Sequence, residues 1–148
     1  MKPELSSNAE CALELLSPAD AQVLSQRIVE FNSSQVPFTQ SPPFTPIAYG
    51  FKDDRGNLLA GITATVYCWR VLGIDVLWVS EAHRGKGWGS KLLDAVENEA
   101  RRRGCGLAHL DTFDFQAKSF YVKHGYEIFG ELDNCPPGHK RFFFKKVI

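Results

Sequence analysis

Apolar residues recur along the first part of the chain with a helical period, and the period ends in a proline-rich segment. Ser17 followed by Pro18 is typical of a helix N-terminus, because serine caps free amides and proline fits the first helical position. One helical face then collects Ala21, Leu24, Ile28 and Phe31. Residues 31–46 contain four prolines and predict an irregular loop.

From Pro46 the period changes to two, which is typical of strands with one buried face. Segments 46–53 and 57–70 flank a short turn and predict an antiparallel hairpin. The alternation in the second segment places Cys68 inside the strand. Gly73 is expected to precede a third strand over residues 74–79.

The second half of the chain alternates strands with helices. Three glycines follow the third strand, and a helical apolar stripe follows them, formed by Leu92, Leu93, Val96 and Ala100. The pattern then predicts a strand at 107–113, a short helix closed by Gly125, and strands at 126–132 and 140–147. This order predicts one α/β domain over residues 1–148, with a sheet of mixed direction.

Composition restricts the classes of function. The 148 residues are 44% hydrophobic, which suits a packed domain, and 17 basic residues balance 17 acidic ones. No overall charge therefore recruits nucleic acid or an anionic membrane, and strand alternation explains the cations and aromatics of residues 140–147. We find neither a signal peptide nor an apolar run of about 20 residues, so we expect a cytoplasmic protein without a membrane partner. The histidines and cysteines lack metal-site spacing, so no metal is expected.

The glycines between a strand and a helix indicate an anion site, because backbone N–H groups and a helix N-terminus converge there. A P-loop needs glycine followed by lysine and then serine or threonine, whereas this chain reads Gly89-Ser90-Lys91. The dinucleotide fingerprint fails at its third glycine in both registers. A dinucleotide-binding oxidoreductase is therefore a minor alternative.

Arg84, Gly87 and Gly89 match a third pattern, in which arginine or glutamine is followed at set spacing by glycine and then glycine or alanine. Residues 115–132 add a helix with an Ala-x-x-Phe-Tyr core, a Gly-Tyr pair and a strand. Through these two motifs the chain resembles the GNAT superfamily of N-acetyltransferases, and most of all its small bacterial members of unassigned substrate. The resemblance implies a mixed, mostly antiparallel sheet, splayed at two central parallel strands and flanked by helices.

The resemblance also implies a reaction: direct attack of an amine, from a small molecule or peptide, on the acetyl group of acetyl-CoA. The pantetheine arm would meet the third strand, and the glycine turn would hold the pyrophosphate, with charge added by Arg84 and Lys86. The implied cofactor-binding residues are Leu77, Trp78, Val79, Arg84, Gly85, Lys86, Gly87, Trp88, Gly89, Ser90, Gln116, Ala117, Phe120, Tyr121 and Lys123. Many family members have asparagine where this chain has Gln116.

Two catalytic roles follow from the same resemblance. Tyr121 is implied as the general acid that protonates the departing CoA thiolate. The substrate ammonium must lose a proton before it attacks, so an acidic side chain is expected near the acetyl group. Asp75 on the third strand is our first choice for this base, and Glu81 is the alternative.

Several features of the acceptor side stay open. Asp111 and Asp114 could attract a cationic substrate, and Asp114 could instead cap the helix that follows it. We expect the loop near residues 36–46 and the turn at 133–139 to shape the acceptor pocket. A non-catalytic acyl-CoA sensor is a further alternative to the enzyme, and a homodimer is left open.

Overall fold

A computed structural model describes residues 10–148. The chain divides into two compact units, one ending at Pro37 and one spanning Phe38–Ile148, and we describe each by itself. The prediction of a single domain over residues 1–148 stays a prediction. The part of the signal-peptide prediction that rests on residues 1–9 lies outside the described residues.

The described part of the first unit contains the helix α1, Pro18–Gln35. Ser17 is its N-cap and Pro18 its first residue, as predicted, and the structure adds a reciprocal capping box. Asp20 donates its backbone N–H to Ser17 Oγ over 3.1 Å, and the Asp20 carboxylate accepts from the Ser17 N–H over 3.4 Å. The loop was predicted over residues 31–46, but α1 continues to Gln35, so the loop begins after that residue.

The second unit contains a six-stranded sheet, two α-helices and one 3₁₀ turn. Its strands are β1 Phe44–Lys52, β2 Leu58–Tyr67, β3 Val71–Val79, β4 Leu107–Phe113, β5 Glu127–Asp133 and β6 Lys140–Val147. Its helices are α2 Trp88–Arg102 and α3 Lys118–Lys123, and the 3₁₀ turn is Glu81–His83. Within residues 10–148, no helix is both long enough and apolar enough to cross a membrane.

The strand order is β1-β2-β3-β4-β6-β5, and neighbouring strands are antiparallel except for β3 and β4. These two parallel strands pair through three residues each, Val71–Gly73 with Leu107–His109. Beyond these pairs the two strands diverge. The predicted fold class, a mixed α/β sheet splayed between two central parallel strands, is confirmed.

The core lies between the sheet and α2, which packs on β1, β2 and β3. The predicted helical stripe is buried, and it meets the alternating strand residues Ile62, Ala64 and Val66, each at most 2% exposed. Burial of an aliphatic side chain contributes about 1.5–3 kcal/mol to the free energy of unfolding. The packing of the helical stripe on the buried strand residues therefore stabilises the contact between α2 and the sheet.

A β-bulge in β3 lies where β3 and β4 diverge. Ile74 pairs with Ala64 and Val76 pairs with Thr63, so Asp75 is the extra residue on β3. An extra residue inverts the alternation of side chains beyond it. The bulge therefore decides which side chains of the last β3 segment face the core.

The burial of β3 shows this inversion. Ile74 is buried before the bulge, whereas after it Leu77 and Val79 pack against the core. Val76 and Trp78 are exposed on the other face. The sequence did not predict the bulge.

Three predicted strand bounds are wrong by a few residues. Cys68 is buried but lies just past β2, in a turn with a left-handed φ of 45°. Gly73 lies within β3 rather than before it, and β1 begins at Phe44 rather than at Pro46. In each case tertiary pairing extends or ends a strand where the local alternation is uninformative.

Candidate active site

The two diverging strands enclose a cleft of about 570 Å³, which is within the usual size range of small-molecule sites. β3 forms one wall, and the end of β4 with the start of α3 forms the other. The lining residues are Asp75, Val76, Leu77, Trp78, Val79, Arg84, Gly89, Asp111, Thr112, Phe115, Gln116, Ala117, Phe120 and Tyr121.

The glycine turn directs backbone amides away from the N-terminus of α2. Gly85 and Gly87 both have a left-handed φ, 77° and 80°, which favours glycine at these positions. Gly87 is the N-cap and supplies no side-chain cap. The first helical amide bond runs from Lys91 to Gly87 over 3.1 Å, so the amides of residues 88–90 point beyond the helix end.

The helices α1 and α2 use their N-termini differently. α1 satisfies its first amides with its own Ser17 and Asp20 side chains, whereas α2 has neither a side-chain cap nor an acidic residue in its first turn. Uncapped amides and the positive end of the helix dipole together attract an anion. The geometry of this turn therefore agrees with the predicted phosphate site.

Side chains around the turn fix its position relative to β3. Arg84 donates from Nε to the Val79 carbonyl oxygen over 3.0 Å. The Trp88 indole stacks between the rings of Phe51 and His83, with centroids 4.6 and 4.7 Å apart. The indole of Trp88 thus anchors the turn, and its backbone N–H remains the group available to a ligand.

Tyr121 on α3 lines the cleft with a side chain that is 6% exposed. Its ring packs near those of Phe120, Tyr126 and Phe144. Burial, with a smaller contribution from the charge of Asp111, raises the pKa of Tyr121 to about 12. The phenol is consequently protonated throughout the neutral range, as a proton donor must be.

Gln116 lies in the turn before α3, which begins two residues later, so it is not a helical residue. Its Oε1 accepts hydrogen bonds from Thr112 Oγ1 and from the backbone N–H of Phe113, at 2.9 and 3.0 Å. These contacts hold the segment after β4 in a turn. Asparagine has a shorter side chain, so the difference from many family members bears on this turn.

The four candidate acids occupy different environments. Asp75 is exposed and lines the cleft, whereas Glu81 begins the 3₁₀ turn and is not among the lining residues. Asp111 lines the cleft and pairs with Arg141 at 2.7 Å. Asp114 accepts from His139 Nδ1 and from the Lys140 backbone N–H, so the suggestion that it caps the next helix is wrong.

Most of the predicted cofactor residues line one cleft. They lie on β3, on α3 and on the turn before α3, and Arg84 and Gly89 join them. The other residues of the glycine turn surround the N-terminus of α2, and Lys123 is exposed at the end of α3. The sequence missed Val76, Thr112 and Phe115 as lining residues. The aromatic Phe115 directly after a strand end was the one available signal.

The two segments predicted to shape the acceptor pocket have different outcomes. The loop after α1 is held at the opposite end of β3, where Thr39 N–H donates to the Cys68 carbonyl and Gln40 bonds the Arg70 N–H. None of residues 36–46 lines the cleft, and that part of the prediction stays a prediction. In the turn at 133–139, His139 packs edge-on against Phe115, which lines the cleft.

No group of three or more His, Cys, Asp and Glu side chains that could hold a metal ion occurs in the described range 10–148. The groups available for chemistry in and beside the cleft are a protonated phenol, carboxylates and backbone amides.

A strand, a left-handed glycine turn and a helix beside a splayed parallel pair agree with the predicted acyl-CoA-dependent transferase, and comparison with known proteins shows this class. The model of the acetyltransferase (GNAT) family matches residues 15–126. A blasticidin-S acetyltransferase from Streptomyces morookaense is 35% identical over 105 residues, covering 70% of this chain and 76% of that protein. This chain belongs to the GNAT acetyltransferase family.

Solved structures support the same assignment. An acetyltransferase from Bacillus cereus has a TM-score of 0.86 and 34% identity, covering 93% of this chain and 98% of that one. A Bacillus anthracis protein solved in complex with acetyl-CoA has a TM-score of 0.60 at 18% identity and covers 70% and 62% of the two chains, which shows the fold alone. The predicted N-acetyltransferase activity with acetyl-CoA as donor is confirmed, against the sensor and oxidoreductase alternatives.

Proposed function

We propose that acetyl-CoA lies in the cleft between β3 and β4, with its pyrophosphate on the Gly87 turn, and that its acetyl group passes to an amine of a small cationic molecule. The observation that carries this proposal is the continuity of the cleft: Arg84 and Gly89 at the turn and Tyr121 deeper inside line the same space. A long donor that binds the turn therefore reaches the phenol.

Tyr121 supplies the proton for the departing thiolate in this proposal. A general acid must carry its proton at the working pH and lie near the leaving group. The raised pKa of Tyr121 satisfies the first condition, and its position in the cleft supports the second. The surrounding rings hold the phenol ring of Tyr121 in place. Its hydroxyl therefore needs no hydrogen bond from a neighbouring side chain to stay in the cleft.

Asp75 is the better supported base of the two candidates. It lies in the bulge of β3, where the strand leaves β4 and the cleft opens, and it is exposed to that space. Glu81 lies past the end of the strand in the 3₁₀ turn. We propose that the Asp75 carboxylate takes the ammonium proton directly or through one water molecule.

The acceptor is proposed to be cationic because two carboxylates, Asp75 and Asp111, line the cleft. Phe115 adds an aromatic surface beside them. Blasticidin S is the first compound to test, since the Streptomyces relative is named for it. We place the enzyme in the cytoplasm, where its donor is made, and leave a peptide acceptor and a homodimer to experiment.

The test is a panel of amines, blasticidin S among them, in which CoA thiol release is measured with acetyl-CoA as donor. We expect turnover with at least one small cationic amine and none with its N-acetylated product. Gly87→Val serves as the control that lacks the donor site. Binding of acetyl-CoA without turnover across a broad panel would contradict the proposed acceptor class.

A further inference from the structure

A contact between α2 and α3 involves a histidine to which neither motif gave a role. His124 Nε2 lies 2.9 Å from Ser90 Oγ, and both side chains are partly buried. Ser90 is in the first turn of α2, and His124 is the C-cap of α3, 34 residues later. The hydrogen bond therefore joins the phosphate end of the cleft to the helix that carries Tyr121.

A second contact reinforces the first. The His124 ring lies 4.6 Å from the Phe120 ring, measured between centroids. Phe120 in turn lies so close to Gly89 that an added Cβ there would be 3.4 Å from two ring atoms. The imidazole is thus held against the same turn of α2 by packing as well as by the hydrogen bond.

The serine hydroxyl has one proton to donate, and the direction of the hydrogen bond decides where that proton points. If Ser90 donates to His124, its proton is not available to a phosphate oxygen. If His124 Nε2–H donates to Ser90, the hydroxyl accepts that bond and keeps its own proton for the ligand. An anion beside Ser90 stabilises the second arrangement, because phosphate oxygens accept hydrogen bonds and cannot donate them when ionised.

We propose that His124 is a positioning residue for acetyl-CoA: its Nε2–H donates to Ser90 Oγ, so that the Ser90 hydroxyl donates to the pyrophosphate. This inference rests on the proposed placement of the pyrophosphate at the Gly87 turn. The relay makes donor affinity depend on His124 although His124 itself does not touch the donor. Removing Ser90 should cost about the value of one charge-assisted hydrogen bond, roughly tenfold or more in KM for acetyl-CoA. Removing His124 should cost a part of this, because the serine hydroxyl keeps its proton but is no longer oriented toward the phosphate.

The experiment compares Ser90→Ala, His124→Phe, the double variant and His124→Gln, using acetyl-CoA and S-acetylpantetheine as donors. Phenylalanine keeps the packing on Phe120 but has no N–H, whereas glutamine can still donate. We expect Ser90→Ala to raise KM for acetyl-CoA about tenfold and His124→Phe to raise it by a smaller factor, both with kcat nearly unchanged. The double variant should be no worse than Ser90→Ala. Glutamine should restore most of the affinity, and all variants should use S-acetylpantetheine, which lacks the pyrophosphate, as well as the wild type does.

Three results would overturn the relay: an unchanged KM in His124→Phe, independent losses that multiply in the double variant, or equal losses with both donors. A wild type that does not prefer acetyl-CoA over S-acetylpantetheine would instead contradict the pyrophosphate site itself. If His124→Phe does not fold, ¹⁵N NMR of the wild type with bound CoA shows which nitrogen of the neutral imidazole carries the proton. A proton on Nε2 of His124 is expected, and a proton on Nδ1 instead would overturn the proposal.

Discussion

The hydrogen bond and the ion-pair contact that Arg141 makes with Asp111 end on the same carboxylate oxygen. Nε and Nη2 of the guanidinium lie 2.9 and 2.7 Å from Oδ1, across the pairing of β4 with β6. Oδ2 is therefore the oxygen that Arg141 leaves to another donor, and Asp111 lines the cleft. The guanidinium is also held over the rings of Phe113 and Phe143.

The two partners should change acceptor affinity in opposite directions. Asp111→Asn should raise KM for a cationic acceptor about two- to fivefold, because it removes one negative charge from a partly exposed site. Arg141→Met should lower KM by a similar factor, since it unmasks that charge while the methionine still covers the rings. Initial rates at saturating acetyl-CoA measure both effects.

Lys140→Met is the matched control for this pair, because Lys140 adjoins Arg141 but pairs with Glu131 and Asp133 at 3.6 Å. It should leave the acceptor KM unchanged. Equal shifts in Lys140→Met and Arg141→Met would indicate an effect of overall charge, not of Asp111.

Acetyl-CoA should stabilise the wild type but not Gly87→Val. Binding at a hundredfold excess over the dissociation constant adds about 2.7 kcal/mol to the free energy of unfolding. Valine disfavours the left-handed φ of 80° and distorts the turn. Gly56→Val is the control, because Gly56 has a φ of 82° in the open turn between β1 and β2, whereas Gly87 is the N-cap of α2. Melting curves in which both variants respond to acetyl-CoA would remove the turn as the site.

Tyr121→Phe should lower kcat about 100-fold and leave the dissociation constant for acetyl-CoA nearly unchanged. General acids typically contribute 100-fold or more, and a thiolate is a fair leaving group, so the lower end of that range is expected. Tyr126→Phe is a matched control: Tyr126 is 2% exposed and its ring lies 5.9 Å from that of Tyr121, but it is not among the residues that line the cleft. Single-turnover rates separate chemistry from product release, and equal rates in all three proteins would show that Tyr121 only packs.

Stability should decline at alkaline pH because of the two buried tyrosines. Burial raises the pKa of Tyr121 to about 12, and burial also raises the pKa of Tyr126, whereas an unfolded tyrosine titrates near pH 10. Between these values the unfolded chain has lost protons that the folded chain keeps. The free energy of unfolding therefore falls by up to about 1.4 kcal/mol per pH unit for each tyrosine, with no effect below about pH 10.

Urea unfolding of the wild type and of the Tyr121→Phe/Tyr126→Phe double variant across this interval tests the alkaline decline. The double variant should lose stability less steeply. Parallel curves would mean that other groups cause the decline.

Asp75→Asn should keep acetyl-CoA affinity and lose activity most at low pH, where nearly all of the amine is protonated and needs a base. Because Asp75 is exposed in a bulge, the substitution should leave the melting temperature within a few degrees. Glu81→Gln is the control and should have a wild-type pH–rate profile. The reverse outcome, with only Glu81→Gln altered, would transfer the role of base to Glu81.

Much of the fold was predictable because it rests on short-range periodicity. The stripe from Leu92 to Ala100 and the alternation from Ile62 to Val66 both predicted buried faces, and both are buried. The bulge at Asp75 was not predictable, because nothing in the run 71–79 marks which residue lacks a partner on β2. Register depends on the opposite strand as much as on the strand itself.

The candidate site was predictable where a backbone conformation demands a residue type. Gly85 and Gly87 are required by their positive φ, so the turn could be read directly from the sequence. The contact of Ser90 with His124 joins residues 34 positions apart and follows no period. Contacts of this kind depend on the relative position of two helices, which cannot be predicted from the periodicity of a single sequence.

The pairing of β3 with β4 stops after three residues, so both strands have an unpaired edge in the middle of the sheet. Edge strands present backbone groups that readily add another strand. Here the edges face each other across the cleft, so an extended pantetheine arm can occupy the place of a missing strand. Amide hydrogen exchange along residues 75–79 should accordingly slow when acetyl-CoA binds, while exchange at Val71–Gly73, already paired with β4, should change little.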